Sequence, residues 1–422
     1  MNGTPPDAGT PPDTGAAPDV DAASAWAGSG AMALSGRPDG PPLLPPGRAA
    51  AVARDLAERF AASTGAPRLD GARLLAERAA FTGHTRRGRV SPGGACRLLP
   101  TADGWAAVSC ARPDDPALLG ALASTDVGDD PWPAVASWLR EHTGADLAER
   151  AALLGIAAGP VRTAPPASVP VPASPRPVKD ALVVDFSALW AGPLCAHLLG
   201  LAGARVVKVE TPTRPDGARY GDPGFYRLLH AGHSSVVLDP ATAAGRRAMA
   251  ALVDAADIVI EASRPRALAR FGLDAGAAVA AGTTWVSITA NGRASERVGF
   301  GDDVAAGAGL VCREPDLSPV FCGDAIADPL TGLTAAVLAA TAPPGRGVLW
   351  DVSMTGVVAA TLDPGPPVPS APAVRRAGGW VVETGAGAVP VAVPVRREPK
   401  GDAPATGADT ADVLRRLGIP VP

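Results

Sequence analysis

The sequence predicts an α/β protein, with a large domain built on a Rossmann-like parallel sheet and a smaller α+β domain beside it. Three observations carry this. From residue 181 onward, short and nearly continuous apolar runs alternate with helical stretches, the pattern of a parallel sheet covered on both faces. Ahead of them, residues 159–178 (GPVRTAPPASVPVPASPRPV) are Pro-rich and aperiodic, as suits an extended connector. Ahead of that connector, helical stretches flank one alternating, hairpin-like pattern.

Taken in order, residues 1–24 are Pro, Asp, Thr, Gly and Ala with almost no large apolar side chains. Such a stretch buries too little surface to offset its ordering entropy and is expected to be a disordered tail. Residues 25–158 form the small α+β domain. Helices are expected over Arg48–Ser63 and Asp70–Ala80, then a hairpin around Thr101-Ala-Asp-Gly104, then further helices to about Ala157. Residues 159–178 are the linker and 179–355 the Rossmann-like domain. Its strands are predicted at Ala181–Phe186, Arg205–Glu210, Ser234–Asp239, Asp257–Glu261 and Thr284–Thr289. Residues 356–375 read as a second Pro-rich link, and 376–422 as a segment that packs back on the large domain. Ligands of such sheets bind beyond the carboxyl ends of the strands, where Ala191-Gly192-Pro193, Asp239-Pro240 and Ala262-Ser263-Arg264 fall.

The chain has 422 residues, 47% of them hydrophobic and 19% charged, enough for a large core. Its formal net charge is −4 and no basic stripe with interleaved aromatics occurs, which argues against nucleic acid or an anionic membrane as a partner. No apolar run approaches the roughly twenty residues that span a bilayer. The N-terminus has no basic region followed by an apolar one, so a cytoplasmic location is expected. The five cysteines are scattered without paired spacing, so neither a disulfide framework nor a zinc site is indicated and buried free thiols are expected. The first strand-to-helix turn carries no GxGxxG, which disfavours a nicotinamide or flavin cofactor. No metal site is predicted, and His230 and His233 read as turn residues.

The remaining reactive candidate is a carboxylate. In Gly323-Asp-Ala-Ile-Ala-Asp328-Pro-Leu-Thr-Gly332, Asp328 precedes Pro329 and an Ala/Leu-rich run. This reads as a helix start with Asp328 as N-cap and Pro329 at the first helical position. The same place suits a nucleophile, because a helix N-terminus favours an ionised carboxylate and offers donors to a developing oxyanion.

Six ordered blocks then converge: Val183-Val-Asp-Phe-Ser-Ala-Leu-Trp-Ala-Gly-Pro, Gly203-Ala-Arg-Val-Val-Lys-Val-Glu, Ser235-Val-Val-Leu-Asp, Ala256-Asp-Ile-Val-Ile-Glu-Ala-Ser-Arg-Pro, Gly301-Asp-Asp and Gly323 to Gly332. Together they resemble CoA-transferase family III, which contains formyl-CoA and carnitine CoA-transferases and the α-methylacyl-CoA racemases. The resemblance covers about residues 181–355, which it makes a CoA-binding catalytic domain. It extends to Ala405–Gly418, which resembles the family's C-terminal signature, and to Ser91–Val161, which resembles its small domain although it lies at the front of the chain. A faint internal repeat relates Ala27-Gly-Ser-Gly…Arg37-Pro-Asp to Ala306-Gly-Ala-Gly…Glu314-Pro-Asp. The first copy has no Asp corresponding to Asp328, which implies a rearranged or truncated tandem form with one catalytic carboxylate per chain.

The resemblance implies that Asp328 is the nucleophile. It implies CoA contacts at Trp190, Ala191, Leu238, Asp239, Pro240, Ala262, Ser263, Arg264, Arg270, Phe271, Phe300, Gly301 and Asp302, and a substrate loop at Gly93 and Gly94. Thr211 stands where the family often has a basic residue that meets CoA phosphate. The activity implied is transfer of CoA from an acyl-CoA donor to a carboxylate acceptor through an aspartyl-CoA thioester. CoA then enters as part of the substrate, with no permanent cofactor, and the family's interlocked architecture implies a homodimer. Two rivals remain: a racemase-like isomerase, whose histidine is missing at Gly301-Asp302, and a catalytically silent CoA-binding protein.

Overall fold

The computed structural model describes residues 20–162, 169–263, 265–385 and 387–422. Its strands are β1 (Cys96–Pro100), β2 (Trp105–Ser109), β3 (Ala158–Pro160), β4 (Leu182–Asp185), β5 (Arg205–Glu210), β6 (Ser234–Val237), β7 (Ile258–Glu261), β8 (Thr284–Thr289), β9 (Val311–Arg313), β10 (Pro319–Phe321), β11 (Val348–Ser353), β12 (Val374–Arg376), β13 (Gly379–Thr384) and β14 (Gly387–Pro390).

Six of them form one parallel sheet in the order β11-β8-β7-β4-β5-β6. The Val- and Ile-rich strands β4 and β7 are buried along their whole length, as β-branched runs favour in a sheet covered on both faces. After β4 the chain runs outward through β5 and β6, then returns to place β7 on the other side of β4. The switch point therefore lies between β4 and β7, and a crevice opens beyond their carboxyl ends.

On one face of the sheet lie helices Ala191–Leu201 and Ala327–Ala339, in one hydrophobic core with β4, β7 and β8 residues Val183, Ile260 and Val286. The second helix is apolar all round and buried from Pro329 to Ala339, as a helix enclosed by others requires. A β-carbon on Gly332 would lie 2.7 Å from Ala191 O, so glycine there permits the close approach of the two helices. On the opposite face, helices Ala243–Ala255, Ala275–Ala280 and Thr410–Arg416 cover Val184, Val207, Val259 and Trp285. The C-terminal helix is tied to edge strand β6 by Asp409 to Ser235 N (2.8 Å) and Thr410 to Val237 N (3.0 Å).

Several boundaries differ from the expectation. Helix Val20–Ser29 starts inside the expected tail, of which residues 1–19 lie outside the described residues. The expected helix Asp70–Ala80 is two short ones, Gly71–Leu74 and Glu77–Thr82. Residues 20–82 do not share a core with the small unit. Trp26, Phe60 and Leu75 join the core of the large domain, because helix Ala49–Thr64 packs on helix Ala327–Ala339 and helices Val20–Ser29 and Gly71–Leu74 pack on Ala49–Thr64. Only the segment from about Ser91 to Pro160 forms a separate α+β unit. There β1-β2-β3 is antiparallel and backed by helices Asp115–Ala123, Trp132–Glu141 and Gly144–Leu154 around Leu119, Leu139 and Leu147.

Strand β3 occupies the start of the expected 159–178 linker, where Ala158 and Pro160 complete the β2 ladder. The expected link 356–375 likewise begins within helix Met354–Ala359 and ends in β12. His230 and His233 close a turn, His233 N donating to His230 O (3.1 Å), and both side chains are buried. They are 1% and 8% exposed, and burial pushes both imidazoles down from their ordinary value, so that they are neutral. Four of the five free cysteines are buried. Among the described residues no helix is long and apolar enough to cross a membrane.

Candidate active site

The crevice is a cleft of about 400 Å³, lined by the β4–helix turn (Ala188, Leu189, Ala191), the segment after β7 (Ala262, Ser263), the end of β8 (Thr289, Ala290) and Ser295–Phe300. Asp328 forms part of its wall. The expectation that Asp328 caps its helix is corrected: Ile326 is the N-cap residue, and Asp328 lies inside the first turn with its N–H donating to Ala325 O (2.9 Å). The shift arises because Ala325 adopts a left-handed φ of 45° and turns the chain into the helix ahead of Asp328. The carboxylate is thereby freed from capping. Among the described residues no hydrogen bond to it occurs, and it opens on the cleft half-buried.

Two non-glycine residues with positive φ flank this cleft, Leu189 (71°) and Ala325 (45°). Such conformations cost about 1–3 kcal/mol and persist only where neighbours over-determine them. Asp216 Oδ1 accepts from Leu189 N (2.9 Å) and Asp302 Oδ1 from Ala325 N (2.8 Å). Asp302 is thus a brace for the turn that leads into Asp328 rather than a lining residue. Gly301 backs Asp328 directly, since a β-carbon there would overlap Asp328 Oδ2.

Four carboxyl groups gather at the paired ends of helices Gly301–Gly307 and Ala327–Ala339. Asp324 is fully buried and receives Arg78 through two bonds of 2.6 and 2.9 Å, with His84 Nδ1 at 3.3 Å. Burial alone would raise its carboxyl, but the Arg78 charge and the donors from His84 and Arg78 hold it well below the usual carboxylate range. Burial pushes Asp328 up to about 7 against the attraction of Arg78, and Asp302, Asp303 and Asp324 reinforce the rise. Burial also raises Asp302 to about 6, helped by Asp324, and Asp303 to about 7, where Phe300 N (2.9 Å) and Ser109 Oγ (2.8 Å) donate to its carboxylate. One cation among four acids leaves the closest acid ionised and the others competing for protons.

The other predicted residues divide. Ala191, Ala262, Ser263 and Phe300 line the cleft. Trp190 does not: it is 3% exposed and serves as a platform, with the Arg78 guanidinium 5.0 Å over its ring. Leu238 is buried strand core, and Asp239 and Pro240 lie at the far edge strand β6, outside the cleft lining. Arg270 is exposed and Phe271 packs on the lower core, both outside the lining. Arg264 lies outside the described residues. The Gly93–Gly94 loop lies outside the cleft lining but against the carboxyl cluster, for a β-carbon on Gly93 would lie 3.4 Å from His84 and 3.8 Å from Asp324 Oδ1.

Sequence reasoning missed Arg78, His84, Arg112, Arg214 and Arg297. The last three line the cleft, Arg112 from the small unit. Arg112 is paired with Asp115 (2.6 Å), whereas Arg297 bonds only Ala158 O (2.9 Å) and makes no salt bridge among the described residues. No spacing signal could find them, because apart from Arg78 and His84 each comes from a different segment. Ser263 Oγ and Thr289 Oγ1 are buried in the lining with no hydrogen-bond partner among the described residues, donors for a polar ligand.

Fold and cleft together define an α/β protein with a free carboxylate at the start of a buried helix, facing an arginine-lined crevice at the switch point of a parallel sheet. Residues 178–378 match the model of CoA-transferase family III. Among relatives, the succinyl-CoA–D-citramalate CoA-transferase of Chloroflexus aurantiacus is 29% identical over 208 residues, covering 45% of this chain and 52% of that protein. The succinate–glutarate CoA-transferase of Agrobacterium fabrum is 29% identical over 211 residues, 44% of this chain and 53% of that protein. The chain thus spans about half the length of these curated relatives. A CAIB/BAIF family protein from Brucella suis aligns in structure with a TM-score of 0.44 and 25% identity, over 50% of this chain and 66% of that one.

Proposed function

We propose that the chain transfers CoA from an acyl-CoA donor to a carboxylate acceptor through an aspartyl-CoA thioester on Asp328. The observation that supports this reading is the Asp328 carboxylate itself: unbonded among the described residues, at a helix N-terminus, and open to the cleft within the family-matched region.

An Asp328 oxygen attacks the thioester carbonyl carbon, the C–S bond breaks, and CoA leaves as a thiolate from a mixed anhydride. The thiolate attacks the aspartyl carbonyl, the anhydride C–O bond breaks, and the donor leaves as its carboxylate. The acceptor carboxylate then attacks the aspartyl-CoA thioester, releasing the thiolate from a second anhydride. Attack of the thiolate on the acceptor's acyl carbon frees the new acyl-CoA and Asp328. One thioester replaces another, so the cycle balances without ATP.

Arg112, Arg214 and Arg297 supply positive charge for phosphate or for a carboxylate acceptor, and the unpartnered hydroxyls of Ser263 and Thr289 supply donors. Leu238-Asp239-Pro240, Arg270 and Phe271 are assigned to the outer, nucleotide end of an extended CoA, and the Gly93–Gly94 loop to the substrate end. Racemisation is disfavoured because proton removal and return need a second acid/base; position 301 is glycine and His84 is committed to Asp324.

The test is intact mass after incubation with a panel of acyl-CoAs, followed by hydroxylamine. An adduct on the Gly323–Gly332 peptide that becomes a hydroxamate is expected. CoA binding with neither adduct nor transfer would establish the silent alternative, and exchange of the α-proton with solvent deuterium without transfer would establish the isomerase.

A further inference from the structure

The short repeat in the sequence is the trace of a structural duplication in which the two copies embrace each other. In copy 1, Ser35-Gly-Arg-Pro-Asp39 turns back so that Leu43 N donates to Ser35 O (3.1 Å). In copy 2, Cys312-Arg-Glu-Pro-Asp316 turns in the same way, with Val320 opposite Cys312 in the β9–β10 ladder. Each hairpin is preceded by a helix, Val20–Ser29 or Gly301–Gly307, and followed by a longer one, Ala49–Thr64 or Ala327–Ala339. The next helix after each longer one is short and has a side-chain N-cap, Asp70 accepting from Arg73 N (3.2 Å) or Ser353 from Gly356 N (3.1 Å), with strand β11 inserted between the two helices in copy 2.

The contacts between the copies are reciprocal. Arg37 and Glu314 stand 277 residues apart at equivalent places in the two hairpins and pair with each other (2.6 Å). Equivalent residues touch only beside a two-fold axis. The same spacing relates Leu44 to Phe321: Leu44 N donates to Ala371 O (2.8 Å) and Phe321 N to Gly88 O (2.9 Å). It also relates Gly47 to Asp324. The turn at Gly47 is docked by Arg48 N on Thr361 O (2.7 Å), while Asp324 is docked by Arg78 (2.6 Å). In the tails a slightly longer spacing relates Gly88 to Ala371 and Arg78 to Thr361, so both pairs of contacts interchange under one operation.

The tails are also exchanged. Strands β1 and β2, which follow copy 1, pack with copy 2's helix Gly301–Gly307: Cys96, Leu98 and Ala107 surround Ala306. The meander β12-β13-β14, which follows copy 2, contributes Val382 and Val389 to the core that holds Trp26 and Ala27 of copy 1's first helix, and Ala392 N donates to Ala27 O (2.8 Å).

We infer that residues 20–110 and 301–392 form an interlocked pseudo-dimer within a single chain, so that copy 1 fills the place of a second subunit and the functional unit is one chain with one site. That site is composite: Asp328 comes from copy 2, and Arg78, His84 and the Gly93–Gly94 loop from copy 1. Its pseudo-symmetric counterpart has Ala51 at the place of Asp328 and carries no nucleophile. In place of a homodimer, the single chain then closes its own two-fold contact.

The inference is independent of the proposed activity, and so is its test. Light scattering at micromolar concentration is expected to give the mass of one chain. Arg37→Cys/Glu314→Cys treated with a short bismaleimide is expected to cross-link without change of mass on a denaturing gel, the wild type serving as control because Cys110 is partly exposed. A two-chain mass, or a cross-link joining two chains, would show that the copies pair between subunits. A well-folded variant that fails to cross-link would show that the two positions are not adjacent. Either result overturns the inference.

Discussion

Gly301 is pressed against Asp328: a β-carbon on Gly301 would overlap Asp328 Oδ2 and fall 2.5 Å from the Ala325 carbonyl oxygen. The start of one helix is the back wall of the Asp328 carboxylate on the next. Gly301→Ala therefore displaces the carboxylate, and a displacement of about 1 Å costs about 10²-fold in rate. The expected outcome is a drop of that order in kcat, with a smaller change in KM for acyl-CoA. Unchanged kcat in a folded variant would show that the carboxylate's position is immaterial.

Asp328 should link activity and stability to pH in opposite directions. Burial raises its carboxyl to about 7, against about 4 in an unfolded chain. Between these values the folded protein holds a proton that the unfolded chain does not, so this group's contribution to stability falls as pH rises from about 4 through about 7. Asp328→Asn should flatten that part of a melting-temperature profile and melt no lower than wild type at pH 8, while transfer and adduct are lost. If Asp328 is the nucleophile as proposed, kcat/KM of the wild type should rise through about pH 7 as its carboxyl ionises. Asp302 and Asp303, raised to about 6 and about 7, titrate over the same span beside the Arg78–Asp324 pair, so the limb is a property of the cluster.

Arg78→Met should destabilise the fold by about 3–5 kcal/mol, because it leaves Asp324 buried and uncompensated. Adding Asp324→Asn should recover most of the loss, as read by denaturant unfolding. In the wild type the pair works in the opposite sense to Asp328. Asp324 has a lowered folded value, so its stabilisation is complete above about pH 4 and is lost only as stronger acid protonates it.

Arg297→Ala should raise KM about tenfold, the loss of roughly 1.4 kcal/mol of uniform binding, with kcat little changed. Which substrate's KM rises, that of acyl-CoA or that of the acceptor, identifies the anion it meets. Arg270→Ala is the companion measurement: a raised KM for acyl-CoA places the nucleotide across the outer surface, and an unchanged one leaves Arg270 a solvated charge.

The sequence determined the parallel sheet, because near-continuous Val and Ile runs between helical stretches have few other ways to be buried on both faces. It also singled out Asp328, since Asp-Pro before an apolar run marks a helix start, although the surrounding turn moves the N-cap to Ile326. Ala191, Ala262 and Ser263 followed from the rule that strand ends carry the ligand site, and Phe300 from the family resemblance alone. The tertiary structure alone decided the rest. Trp190 was legible as a residue of the first turn, but its burial beneath Arg78 depends on a helix more than a hundred positions earlier in the chain. Arg78, His84 and the Gly93–Gly94 loop reach Asp324 because two weakly similar segments pack about a common axis. Such reciprocal contacts are specified by surfaces that meet in space, for which periodicity and spacing along one segment carry no signal.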